Sequence, residues 1–464
     1  MPDHLKNTGL GGASWSTTAV HPPTGSNELI LADFVEPSIL VAQLSTQRSW
    51  PFRAMDGCRW LISRLFGIVS VIFLMATAAS IPIVQLISFG YLLEVSGRLA
   101  RGGKFSSAMI GLGKASHLGG VLSGTWLLLL PIRFVSALWY EAYLIEPNSQ
   151  QTQLMRILLL TLVGLTIVQI LAAWVCGGKL RYFFWQAVAP FSFLIWTVRK
   201  TAKSKVLRPV LTACLGWVSP YFVPNLCEAR PLTDWFVPAI LLKKVLNGTI
   251  YTDARNGLWN FVAGLNLWYY FKLGFKGFIG TFLWLVVPTT FLMAATASDS
   301  GFALGSAFLG IGIAVPLFAI LPFVQAHFAR DGRWKSFLEP LSVISNFWRA
   351  PIAHVVALLL TLVLALPLFL LKIEEIPREL LWTLSLVFVT FTWPARIAIG
   401  LAYRRGNKPG KTGRWWTSVP VMFVAIPISF AFIFILFFTR YVTWNGMWSL
   451  LENHVFLLPA PFWL

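Results

Sequence analysis

Charge is what this chain has least of. Asp, Glu, Lys and Arg make up 12% of its 464 residues, about half the share of an ordinary soluble domain, so most of the chain does not face water. Acidic residues are the scarcer sign, 18 against 37 Lys and Arg. With no acidic pair inside an apolar span, a paired-aspartate intramembrane protease is excluded. Cysteine is as uninformative as it is rare: Cys58, Cys176, Cys214 and Cys227 show no Cys-x-x-Cys spacing, which removes zinc ribbons and dithiol redox chemistry. They read as small apolar fillers. His-Glu-x-x-His and Gly-x-Ser-x-Gly are both missing. The stretch Gly111-Leu-Gly-Lys-Ala-Ser116 only imitates a phosphate loop, because Ala108 stands where its first Gly is required and Ala115 follows Lys114. His117, His327 and His354 have no carboxylate or Cys at metal spacing. The sequence therefore implies no catalytic residue, no metal and no cofactor.

What is present is apolar: 56% hydrophobic residues and a mean hydropathy of +0.69. The apolar runs last around twenty residues without alternation, and in hydrocarbon every backbone N–H and C=O must be paired internally, so helices and not a barrel are predicted. The fold class is all-α and polytopic. A net charge of +19 would suggest nucleic acid in a soluble protein. Here the Lys and Arg lie between spans, as retention on one side of a membrane requires, and nucleic acid is not an expected partner. Anionic lipid headgroups are, with a protein partner or a second copy as further candidates.

Two strings more than two hundred residues apart, Phe73-Leu-Met-Ala-Thr-Ala-Ala-Ser80 and Phe291-Leu-Met-Ala-Ala-Thr-Ala-Ser298, nearly coincide. Around them the order of apolar spans, basic loops and amphipathic segments recurs, which predicts two parallel four-helix repeats plus a C-terminal helix, about nine spans in all. The expected divisions are a cytoplasmic tail over 1–50, a first repeat over 51–181, a basic aromatic segment over 182–275, a second repeat over 276–405, and a last span with its tail over 406–464. The apolar block Leu61–Leu99 reads as a hairpin broken near Pro82, with Arg59 and Arg64 before it and Arg98, Arg101 and Lys104 after it. Lys104–His117 and the segment bearing Trp334, Phe337, Leu338, Leu341, Ile344 and Phe347 read as surface helices. The loop around Glu146-Pro147 carries no Lys or Arg and is expected outside, as is Ile373-Glu374-Glu375-Ile376-Pro377, which echoes it. Residues 179–276 hold thirteen Lys or Arg against Glu228, Asp234 and Asp253. The short apolar stretches 183–196 and 210–226 within them are expected to be interfacial or re-entrant, since spanning would carry the intervening basic cluster outside. The Trp-rich tail is then external and the N-terminus, which shows no apolar leader, is inside.

Ile87-Ser-Phe-Gly-Tyr-Leu-Leu93, followed by Gly97-Arg98 and Arg101-Gly-Gly-Lys104, resembles a family of prokaryotic multi-pass membrane proteins of unknown function, marked by a Gly-Tyr helix ending in a basic, Gly-containing loop. The likeness covers roughly residues 52–131. It implies a cytoplasmic-membrane protein and brings no assigned activity. Polar residues inside spans are the natural place to look for function, because a charge at the bilayer centre costs about 2.5–3.5 kcal/mol on insertion scales. Arg133, Arg396, Glu94, Gln85 and Gln169 are the candidates for a polar site between the repeats, with a Glu94–Arg396 pair as one arrangement. Snorkelling and structural pairing are the competing explanation for the two arginines. The function expected is non-enzymatic, a carrier or lipid-handling protein. The alternative is a scaffold that docks lipids or a partner through its interfacial helices.

Overall fold

The computed structural model describes residues 50–186, 236–297, 301–370, 381–408, 415–442 and 446–452, together with isolated positions beside them. The chain divides into two compact units, 1–61 and 62–464; the described part of the first is the opening of helix α1, and all the later elements belong to the second. The expected helices over 183–196 and 210–226, and the loop at Glu374-Glu375, lie largely or wholly outside the described residues.

The structure is that of an all-α polytopic membrane protein, with no strand among the described residues. Helix α1, Trp50–Ala79, stops where Pro82 withholds its N–H and Ile83 takes a φ of 70°, a costly conformation for a β-branched residue. Helix α2, Gln85–Ala100, comes next. The 3₁₀ turn Phe105–Ala108 leads into α3, Leu112–Ile145, and Ser149 caps α4, Gln150–Val175, by accepting the Thr152 N–H at 3.2 Å. A short turn of helix α5, Leu180–Phe183, closes this part. Next come α6, Val237–Leu246, α7, Ile250–Gly264, α8, Leu267–Ala297, and α9, Gly301–Asp331. A second basic loop and 3₁₀ turn, Trp334–Leu338, precede α10, Pro340–Arg349, α11, Pro351–Leu370, and α12, Leu381–Gly406. The chain ends with α13, Trp415–Val442, and a small helix α14, Ser449–Glu452.

Eight of these helices are long and apolar enough to cross a membrane, against about nine expected from hydropathy. The difference is α2. Its 16 residues span about 24 Å, less than the roughly 30 Å of a hydrocarbon core, because the break at Pro82 comes late and the basic loop early. Two boundaries also move. The group Trp268–Phe271 belongs to α8 itself, so the division at 275/276 falls inside a helix, and Lys104–His117 is not one surface helix but the 3₁₀ turn Phe105–Ala108 followed by the opening of α3 from Leu112.

The core gathers around α2. It packs on α8, α9 and α12, and all but four of its residues are buried. Lipid tails are as apolar as Leu, so helices in a membrane associate through close packing and small residues. At the α2–α8 crossing, a Cβ on Gly90 would collide with the Tyr270 carbonyl and one on Gly274 with the Leu86 carbonyl. The α3–α4 hairpin behaves differently: 6% of the apolar window of α3 and 17% of that of α4 are buried, against 56% for α12, so most of the hairpin's surface is exposed. Replacing Gly274 by Val should therefore lower the thermal unfolding midpoint of the purified protein sharply, since overpacking costs about 1–3 kcal/mol even where side chains can adjust. Gly164→Val in α4, where nothing lies within 4 Å of the new Cβ, should leave it unchanged; equal behaviour of the two variants would refute the crossing.

Candidate functional site

Three polar clusters lie along the core. Near the C-terminus of α2, the buried Glu94 carboxylate accepts hydrogen bonds from Arg98 Nε at 2.9 Å and Arg101 Nη2 at 2.5 Å on one oxygen, and from the Tyr269 hydroxyl at 2.8 Å on the other. Arg101 also donates Nη1 to the Ala329 and Arg330 carbonyls, at 2.8 and 3.1 Å. It thus caps the C-terminus of α9, where orphan carbonyls and the helix dipole favour a cation. Arg404 Nη1 donates to the Gly103 carbonyl at 2.8 Å, which ties α12 to the same loop.

The second cluster lies deeper. Arg396 is wholly buried; its Nη1 donates to Gln325 Oε1 at 2.6 Å, and its guanidinium lies 5.5 Å from the Phe89 ring centre, within reach of the ring's negative face. Gln325 Nε2 in turn donates to Thr281 Oγ1 at 2.6 Å and to the Leu457 carbonyl at 2.7 Å. Leu457 belongs to the tail, which packs into the core: Leu450, His454, Leu457 and Leu458 are buried, and His454 Nε2 lies 3.3 Å from Thr289 Oγ1. The tail's leucines fill apolar space there and its carbonyl meets an amide that would otherwise be unsatisfied. Beside it, the cavity between Phe318, Pro322, Leu358 and Leu457 measures about 20 Å³, room for about one water.

In the third, His327 is buried between Tyr403, whose hydroxyl is 2.8 Å from Nδ1, and Glu339, whose Oε2 is 3.1 Å from Nε2. Both ring nitrogens of His327 are thus engaged, and the Asp331 carboxylate lies 3.7 Å from Nδ1.

The structure does not bring the five sequence candidates together. Glu94 and Arg396 do not pair with each other; each has its own hydrogen-bonded partners. The signal for Glu94 was its i, i+4 and i, i+7 spacing to Arg98 and Arg101 on one helix. Arg133 is exposed on α3 and has no ion-pair partner among the described residues, so it stands on the exposed hairpin, apart from the core clusters. Gln169 is occupied locally, donating to the Tyr182 and Phe183 carbonyls at 3.2 and 2.9 Å and accepting from Trp185 Nε1 and Gln186 Nε2 at 3.0 and 2.7 Å. Gln85 is half-buried at the opposite end of α2 from Glu94. Gln325, Thr281 and Tyr269 were missed, although a lone Gln inside the apolar run of α9 was visible. Among the described residues no three His, Cys, Asp or Glu gather where a metal ion could sit.

Truncating one partner of a buried charge costs about 3–5 kcal/mol, whereas removing both halves together is often tolerated. Gln325→Leu should accordingly destabilise the protein more than the double variant Gln325→Leu/Arg396→Met, and Arg133→Leu should leave stability unchanged or raised, all read as thermal unfolding in detergent. If the double variant were the least stable, the network would not be the self-contained unit described. Neither a protein-family model, nor a curated protein, nor a solved structure matches the chain.

Proposed function

We propose that this is a non-enzymatic, lipid-handling protein of a prokaryotic cytoplasmic membrane, engaging anionic lipid at one end of its helices. One observation carries the reading: the basic loops converge. The C-termini of α2, α9 and α12 meet through Arg101 and Arg404. The start of α3 meets the end of α4 where His117 contacts the Gly177 carbonyl at 2.8 Å, and the end of α7 where Lys114 donates to the Gly264 carbonyl. Lys104, Lys114, Arg330, Arg333, Arg404 and Arg405 thus share one end, with Glu94, Asp331 and Glu339 as the nearby counter-charges. That end is taken to be cytoplasmic, by the tendency of Lys and Arg to stay inside, which puts the N-terminus in and the far end of α13 out. Descent from two parallel copies of one helical unit is supported by the recurrence of a helix, a basic loop, a 3₁₀ turn and two further helices in both halves. The carrier variant of this reading draws less support, because the interior polar network is filled by the chain's own tail.

A scaffold role is the second reading, favoured by the α3–α4 hairpin, whose faces are largely free and which carries Arg133. In nanodiscs, phosphatidylglycerol should raise the unfolding temperature relative to phosphatidylcholine, the difference should shrink in high salt, and Arg404→Glu/Arg405→Glu should reduce it. Identical unfolding in both lipids would sink the lipid reading. Cysteines substituted at Glu146 should label from outside and those at Lys104 and Lys335 from inside; the reverse pattern would invert the orientation.

A further inference from the structure

A second apolar cavity lies away from the polar clusters. It measures about 370 Å³ and opens between α9, α10 and α13, with Gly312, Pro316 and Phe323 on one wall, Phe347 above, and Met422 and Ala425 on the other wall. Its origin is local. Gly312 and Ala425, which line it, are small, and nothing lies within 4 Å of where a Gly312 Cβ would be. Helix α10 roofs it as an interfacial helix does: Val343 and Phe347 point inward and buried, whereas Leu338, just before the helix, and Leu341 are 78% and 77% exposed.

The rim has a different chemistry. Arg349 is exposed in the last turn of α10, and the carbonyl of the preceding Trp348 accepts the Ser418 hydroxyl at 2.9 Å, which fixes this turn beside the start of α13. There Trp415 and Trp416 stack with ring centres 3.7 Å apart, both exposed. Trp415, Ser418 and Met422 recur at helical spacing, so one face of α13 runs from the aromatic rim down into the groove. Tryptophan and arginine at headgroup depth above an apolar slot are what a phospholipid presents in complement, a phosphate over an acyl chain. An acyl chain gains no hydrophobic free energy on leaving the bilayer for such a slot. Selectivity must therefore come from the rim and from shape.

We propose that the α9–α10–α13 groove is a specific site for one acyl chain of an anionic phospholipid, its phosphate held near Arg349. The proposal deepens the lipid-handling reading and rests on it. The full chain in nanodiscs containing phosphatidylglycerol with a photoactivatable acyl chain should be labelled mainly in the α9 and α13 peptides that line the groove. Gly312→Phe, which fills open space and should not disturb folding, should lower that labelling at least fivefold and leave labelling of α3 and α4 unchanged; Ile426→Trp, on the exposed part of the lining, should do the same. Arg349→Gln should bring labelling by phosphatidylglycerol down to that by phosphatidylcholine. Label spread evenly over α3, α4 and the groove, or insensitive to both filling variants, would overturn the site. If lipid-dependent stabilisation then persisted, the groove alone would be refuted; loss of that stabilisation with groove labelling intact would refute the broader reading alone.

Discussion

The approach of two backbones where Gly90 of α2 meets Gly274 of α8 governs most of the remaining architecture. Helices in lipid lack the drive that brings apolar surfaces together in water, so a short helix stays in a bundle only where it can come close enough for dense van der Waals contact. That contact sets the depth and rotation of α2. Four residues on from Gly90, Glu94 arrives opposite the Tyr269 hydroxyl; one residue before it, Phe89 turns its ring to Arg396. Gly97 extends the same logic to α9, since a Cβ there would sit 2.5 Å from the Ala329 carbonyl oxygen, and this proximity is what lets Arg101 reach the end of that helix.

Charge is handled by two separate devices. Near the basic end, Glu94 is surrounded by donors, and the surplus positive charge of Arg98 and Arg101 is left near headgroup level, where side chains of this length can reach water. Deeper in, Arg396 is met by a neutral amide and an aromatic face. Its charge is thus solvated by dipoles that are themselves held in place, Gln325 by Thr281 and by the tail. Such an arrangement works only if every member is present, which is why the tail's carbonyl is as much a part of the core as the side chains it meets.

Much of the fold was legible in the sequence, for a physical reason: uncharged runs of this length have few states open to them in a membrane. The break at Pro82, the two basic Gly-containing loops and the inward faces of Phe337 and Phe347 all follow from local chemistry. The centrality of α2 does not. A helix apolar on all sides reads the same whether other helices or lipid cover it, and only the glycines at 90 and 97 hint at which. The aromatic run Trp268–Phe271 left the start of α8 open, because a membrane-interface belt and the first turn of a spanning helix use the same residues. For the polar candidates, each residue type was meaningful and the pairing was not, since Arg396 lies deeper than Glu94 and each finds nearer partners. The returning tail had no local signal at all; its place is set by what α8, α9 and α13 leave unfilled.

That tail also bears on how the molecule can handle a ligand. Any route for a polar solute through the core past Gln325 would have to take the Leu457 carbonyl off the amide and withdraw support from the group that holds Arg396. The adjoining space of about 20 Å³ offers no detour. Displacement would expose several buried polar atoms at once, each costing about 1–3 kcal/mol unless the solute replaced its hydrogen bonds. The lipid-facing side sets no such barrier. The notch between α9 and α13 is already open and already apolar, and the helix that roofs it ends in the exposed Arg349. An amphiphile entering sideways can keep its headgroup in the interface while its chain fills the gap, and no hydrogen bond in the core need break. The same closure that makes the interior a poor channel makes the flank the cheaper place to bind.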